Sequence, residues 1–216
     1  MHVAIGCLLL WLSAGEVLPS SEPLPAAMPE TLLAAPVNAT WAANHPDHWK
    51  SLGFQGFLFR GIWDQLDQPV PLNGENASEE SRLRKEIRLA HERLKEAGLG
   101  ANFLWTAVAP EETWFTDREH ARLALDRFRD AGEFCRQTGL RGLALDTCSQ
   151  SLLYQYVWDG YDLQTMPPEQ LDSRARDFGR HALQAFIRAC PTTEILIMVE
   201  DIDTAGPLWF SFFAGL

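Results

Sequence analysis

The sequence predicts an α/β fold built on a parallel sheet. Four short apolar segments, at 54–61, 101–109, 141–146 and 194–200, alternate with three segments that carry helical periodicity. Strands separated by helices pair in parallel through crossover connections. No Gly-x-Gly-x-x-Gly pattern follows any strand, which disfavours a dinucleotide-binding sheet. The four units occupy about 160 residues, against about 250 for a complete (β/α)8 barrel. We therefore expect the first four βα units of such a barrel, truncated near its fourth helix.

The N-terminal region reads as an export signal followed by a connector. An apolar stretch from Val3 to Leu12 precedes the small residues 13–15, and it is too short to span a bilayer. We predict a signal peptide over 1–15, a Pro- and Ala-rich connector over 16–47 and the partial barrel domain over 48–216. The protein should then be secreted or periplasmic and should not associate with a membrane after signal cleavage.

Charge and cysteine content limit the possible partners. The chain has 18 Lys and Arg against 29 Asp and Glu, a formal net charge of −11, so it lacks the basic surface that nucleic acid requires. The cysteine spacings match no zinc pattern, and we expect no metal and no cofactor. After signal cleavage Cys135, Cys148 and Cys190 would remain. A bridge between Cys135 and Cys190 and a set of buried free thiols both stay open.

Each predicted helix has an apolar stripe and identifiable ends. The first covers 78–98 and ends at Gly98, where a left-handed residue is favoured. The second ends at Gly139 and begins with Thr116 and Glu119 at capping-box spacing. The third covers about 168–189. The residues predicted to face the sheet are, in order, Leu83, Ile87, Ala90, Leu94 and Ala97; Ala121, Leu125, Phe128 and Phe134; and Leu171, Ala175, Phe178, Ala182 and Phe186.

Three strands end on a charged residue that shares a face with the strand's inward side chains. Alternate residues of a strand face opposite sides, so Leu143 and Leu145 should pack under helices and Asp146 should face inward. The same parity directs Arg60 and Glu200 inward. The carboxyl ends of parallel strands meet at one edge, where active sites form. The alternative is that Asp146 caps its own loop or pairs with Arg60 as a buried ion pair.

Aromatic residues collect near the same strand ends. Flat apolar faces around a polar pocket suit sugars, although single tryptophans more often anchor loops. The segment 147–167 is also long for a loop, and long loops are often functional. The tryptophans at or just after these strand ends are Trp63, Trp105, Trp114, Trp158 and Trp209.

GLALDT and ILIMVED, with the aromatic rim, resemble the N-terminal half of glycoside-hydrolase-type barrels. The resemblance implies cleavage of a glycosidic bond by two carboxylates, one protonated and one ionised. In many families of such barrels an acid at the end of strand four is the general acid or the nucleophile, which by position is Glu200, with Asp201 as its alternative. Asp146 is the second candidate catalytic residue. The candidate substrate-binding residues are Arg60, Trp63, Trp105, Trp158 and Asp201.

Two other classes of function stay open. A non-catalytic carbohydrate-binding barrel would need the aromatics without the acids. A metal-dependent hydrolase would use Asp201 and Asp203 with His45 or His48. We also expect the truncated chain, expressed alone, to have little or no glycosidase activity and to self-associate. Leu58, Leu196 and Met198 would lack an opposite barrel wall, and the aromatic tail at 209–213 would lack a cover.

Overall fold

The computed structural model describes residues 12–13, 33–60, 62, 74–107, 117–146, 167–198, 211–212 and 214–215. Its strands are β1 (Leu12–Ser13), β2 (Leu33–Asn38), β3 (Gly56–Arg60), β4 (Phe103–Ala107), β5 (Gly142–Asp146) and β6 (Glu194–Met198). Its helices are α1 (Ala39–Ala43), α2 (Pro46–Ser51), α3 (Gly74–Glu96), α4 (Arg118–Thr138) and α5 (Pro168–Ala189).

Five consecutive strands, β2 to β6, pair in parallel and in chain order, with helices in every connection. The predicted α/β class with a parallel sheet is therefore confirmed. Strand order does not reverse, as it would in a doubly wound sheet, and sequential order is that of a (β/α)8 barrel. The short β1 pairs antiparallel with β6 through Leu12 and Ser13. These two residues lie inside the predicted signal peptide, which stays a prediction.

Strand β2 lies within the segment predicted as a connector. Leu33–Asn38 pairs with β3 along the sheet, so the folded unit includes residues assigned to a connector over 16–47. The register shifts between Ala34 and Val37, around Pro36. Proline has no N–H to donate and is confined to edge strands or bulges, which is why this segment lacks the usual strand signature. Asn38 then begins α1 by accepting the N–H of Trp41.

The helices follow their predicted stripes closely. In α3, Ile87, Ala90 and Leu94 are buried, and all five residues predicted for the third helix are buried in α5. The beginning of α4 differs from the prediction. Asp117, rather than Thr116, is the N-cap, and its Oδ1 accepts the N–H groups of Glu119 and His120 at 2.8 and 3.2 Å. Gly139 ends α4 in the left-handed region, with φ 75°.

Helices α4 and α5 pack closely along the sheet. Gly132 faces the Phe186 carbonyl and Ala189 of α5, where a Cβ would lie 2.6 Å from that oxygen. Near this contact, Cys135 and Cys190 are buried free thiols, and burial raises the pKa of each. The open question of a Cys135–Cys190 bridge is thus answered for this structure by two separate thiols. Helix α4 also meets α3 through the largely buried ion pair of Arg127 and Glu80 at 3.3 Å.

A buried polar cluster fixes the start of β4 against α3 and β3. Asn102 accepts the N–H of Phe57 through Oδ1 at 2.9 Å and donates through Nδ2 to the Leu99 carbonyl at 2.8 Å. The same Nδ2 lies 3.0 Å from Nδ1 of His91, which is 1% exposed. Because the amide nitrogen is a donor, Nδ1 must accept, so His91 is neutral in this arrangement. Burial, followed by the charge of Lys95, lowers the pKa of His91.

The predicted uncovered apolar surfaces are buried where the structure describes them. Leu58 is 5% exposed and Leu196 is 6% exposed, which corrects the expectation that this side of the sheet lacks a cover. Met198 is partly buried. Phe212, from the predicted exposed tail, is fully buried and stacks on Phe178 of α5.

No helix in the described ranges is long and apolar enough to cross a membrane.

Candidate functional site

Asp146 ends β5 at the carboxyl edge of the sheet. Within the strand, the four residues before it are buried, whereas Asp146 itself is only partly buried. Its register neighbours at this edge are Ala107 of β4 and Met198 of β6. An aspartate here has solvent access on one side and the sheet's apolar residues on the other. A partly buried carboxylate at this edge can reach a ligand bound at the carboxyl ends of the strands.

The indole of Trp105 holds the Asp146 carboxylate. Trp105 is paired laterally with Ala144, so its larger neighbour on the same face is the diagonal residue, Asp146. Its Nε1–H donates to Oδ2 of Asp146 at 3.0 Å. Ala144 has only a methyl group opposite the ring, which allows the indole to lie across the strand toward the acid.

Arg60 completes the described part of the site. Its guanidinium carbon lies 5.1 Å from the centre of the Trp105 ring, within cation–π range. Arg60 is exposed at the end of β3, and Trp105 is 8% exposed. The three side chains therefore form a continuous series across β3, β4 and β5, from cation to ring to carboxylate.

The parity prediction is confirmed for Arg60 and Asp146. Both side chains contact Trp105 and therefore lie on the same side of the sheet. The opposite side faces helices, as shown by Phe57, whose ring lies edge-on to Trp49 of α2 at 5.8 Å. Asp146 does not point among the helices. The indole of Trp105 lies next to both Asp146 and Arg60.

Counting β2 changes which acid follows the fourth parallel strand. The sequence assigned that position to Glu200, with 194–200 as strand four. With β2 included, the fourth parallel strand is β5, and its last residue is Asp146. Glu200 follows the fifth. Asp146 therefore occupies the fourth-strand position that the sequence predicted for Glu200, and the catalytic roles of both acids stay predictions.

The other predicted site residues, Glu200, Trp63, Trp158 and Asp201, lie outside the described residues, as do Trp114 and Trp209. The sequence predicted Trp105 as a sugar-binding residue and missed its hydrogen bond to Asp146. Strand parity contained the signal. Aligning β4 and β5 by their apolar segments puts Trp105 beside Ala144, which lies two residues before Asp146 on the same face of β5.

The histidines of the metal alternative lie before β3. His45 precedes α2 and His48 is within it, and both are exposed. Among the described residues no group of three or more His, Cys, Asp or Glu side chains could hold a metal ion. Asp201 and Asp203 lie outside those residues, so the described geometry contributes no support for this alternative.

No protein-family model and no curated protein matches the sequence. A solved structure, that of GH5_18 from Streptomyces cattleya in complex with Manb1-4GlcNAc, is similar to this chain with a TM-score of 0.47 and 17% identity. The match covers 74% of this chain and 39% of that one, so the chain spans well under half the length of the protein it matches.

Proposed function

We propose that the chain carries the carboxylate site of a carbohydrate-active hydrolase of the glycoside-hydrolase type. The observation that supports it is the Asp146 carboxylate, held by an indole N–H at the carboxyl edge of a parallel sheet. Glycosidic cleavage needs two carboxylates, one to protonate the leaving oxygen and one to act as nucleophile or base. Asp146 is one of this pair in our proposal.

Glu200 is the proposed second carboxylate. It lies two residues after Met198, and Met198 is the register partner of Asp146. Strand parity assigns residue 200 to the same side as residue 198 if β6 continues, which supports pairing the two acids. Asp201, the next residue along the chain, is proposed as a substrate-binding residue. Trp63 and Trp158, predicted from the sequence as sugar-binding residues, keep that proposed role together with Arg60.

The test is hydrolysis by the purified chain of a panel of polysaccharides and aryl glycosides, measured as released reducing sugar or aryl alcohol. Asp146→Asn and Glu200→Gln keep the side-chain shapes and remove the acids. We expect each to lower kcat by at least about a hundredfold, within the range that a positioned acid or base supplies. The addition of a chelator should leave the rate unchanged.

Three results would contradict the proposal in different ways. Equal rates for the wild type and Asp146→Asn would show that Asp146 takes no part in the reaction. Sugar binding that survives in both variants, without turnover by the wild type, would favour the non-catalytic carbohydrate-binding barrel. Loss of activity on chelation, restored by a divalent metal, would favour the metal-dependent hydrolase.

A further inference from the structure

Trp105 is constrained on two sides at the candidate site. Its Nε1 lies 3.0 Å from Oδ2 of Asp146, and the guanidinium of Arg60 lies 5.1 Å from its ring centre. The ring is 8% exposed. A side chain held in this way cannot change rotamer without breaking the hydrogen bond or losing the cation over its ring.

A sugar-stacking role fits this environment poorly. A sugar that stacks on an indole needs an accessible flat face, and a ring that is 8% exposed with Arg60 against it offers little. The sequence predicted substrate binding for Trp105 from its place near the strand end. The contacts assign the ring to the support of the site rather than to its open surface.

The chemistry of an indole suits a carboxylate partner. The indole N–H is a donor only, so it can hold an acceptor but cannot accept a proton from it. The terminal torsion of an aspartate is broad, and a hydrogen bond to one oxygen restricts that torsion and hence the directions of both oxygens. A hydrogen bond to an ionised acceptor is also stronger than one between neutral groups.

We infer that Trp105 is a positioning residue for Asp146, which it orients through the Nε1–H···Oδ2 hydrogen bond while Arg60 holds the ring. This inference rests on the proposed function, because it assigns a task to the acid of that site. Trp105 takes no part in bond cleavage or proton transfer. Its contribution is to hold the carboxylate in one orientation toward the substrate.

Trp105→Phe keeps an aromatic ring beneath Arg60 and deletes the N–H. In an active protein we expect kcat to fall roughly tenfold or more, because a poorly oriented acid or base loses part of its rate contribution. KM should change less than about twofold. The matched control is Trp49→Phe. Trp49 also donates its indole N–H at 3.0 Å, but to the Ala42 carbonyl in the helical layer, so this variant should keep the wild-type kcat.

A second measurement tests the contact without any substrate. The indole N–H resonances are recorded by two-dimensional 15N–1H NMR, and Trp105→Phe and Trp49→Phe assign the two signals by their disappearance. Asp146→Asn replaces the carboxyl acceptor by a carboxamide. We expect the Trp105 indole proton to move upfield in that variant and the Trp49 signal to stay in place.

The two measurements separate the inference from the proposed function. If the wild type cleaves no glycan, the proposed function fails, and the Trp105 resonance still decides whether Asp146 is held by the indole. A resonance that Asp146→Asn does not move would overturn the inference. So would an unchanged kcat for Trp105→Phe in an active protein, or a change confined to KM.

Discussion

A carboxylate at the end of a buried strand costs free energy unless polar groups or water stabilise it. Asp146 obtains one such interaction from the side chain of the neighbouring strand, because Trp105 donates to it across β4 and β5. The hydrogen bond spans 41 residues of sequence, so local pattern alone could not reveal it. At the residue scale, the site is a property of the register between strands.

The pH dependence of stability should depend on His91. In the folded protein its Nδ1 accepts from Asn102, and burial lowers its pKa below the ordinary value of 6.5. The unfolded state therefore binds more protons below about pH 6.5, and the stability due to neutral His91 is lost as the pH falls through the lower folded pKa. For each pH unit between the two pKa values, the free energy of unfolding changes by about 1.4 kcal/mol.

The measurement is urea denaturation of the wild type and His91→Gln between pH 7.5 and pH 5. The difference between the two free energies of unfolding removes the contribution of the other titrating groups. We expect His91→Gln to be less stable at pH 7.5, because it disturbs the buried cluster, and the gap to narrow as the pH falls. A stability difference that is constant across this range would show that the pKa of His91 is the same in the folded and unfolded states.

At the scale of elements, the N-cap of α4 gives a direct stability test. Asp117 accepts two backbone N–H groups and places a negative charge at the positive end of the helix. Asp117→Ala should therefore lower the free energy of unfolding by about 1 kcal/mol. Asp117→Asn keeps the acceptor and should cost less than the alanine variant. Thr116→Ala should have little effect on the free energy of unfolding. If it destabilises the protein as much as Asp117→Ala does, the capping box predicted from the sequence is correct.

Helical periodicity was the most informative feature of the sequence, because amphipathic stripes are local. The third helix agrees with its predicted range of 168–189. The strand at Leu33–Asn38 was missed, because Ala and Pro contribute little strand propensity and its pairing with β3 is not local. That omission transferred the fourth-strand position from Asp146 to Glu200. Parity predicted the direction of Arg60 and Asp146, whereas the contact of Trp105 with both depends also on the register between β4 and β5.

At the scale of the whole molecule, the expected self-association loses part of its physical basis. It depended on an uncovered inner side of the sheet and an uncovered aromatic tail. Leu58, Leu196 and Phe212 are instead all below 10% exposed. Self-association stays a prediction, and light scattering tests it. If it occurs, the interface should involve other surfaces, such as the outer edge of β2, which has a paired strand on only one side in the described sheet.

Phe212 should contribute strongly to global stability. It is fully buried, its ring is 6.2 Å from that of Phe178, and its backbone leaves no room for a Cβ on Gly179 of α5. The adjacent Ser211 hydroxyl donates a hydrogen bond to Oδ1 of Asp172 in α5. Phe212→Ala should lower the free energy of unfolding by about 3–5 kcal/mol, a large share of the 5–15 kcal/mol typical of a domain. Phe212→Leu, which fills more of the space, should cost clearly less in urea denaturation. If both variants unfold with the wild-type midpoint, this segment does not belong to the cooperative unit formed by the sheet and α5.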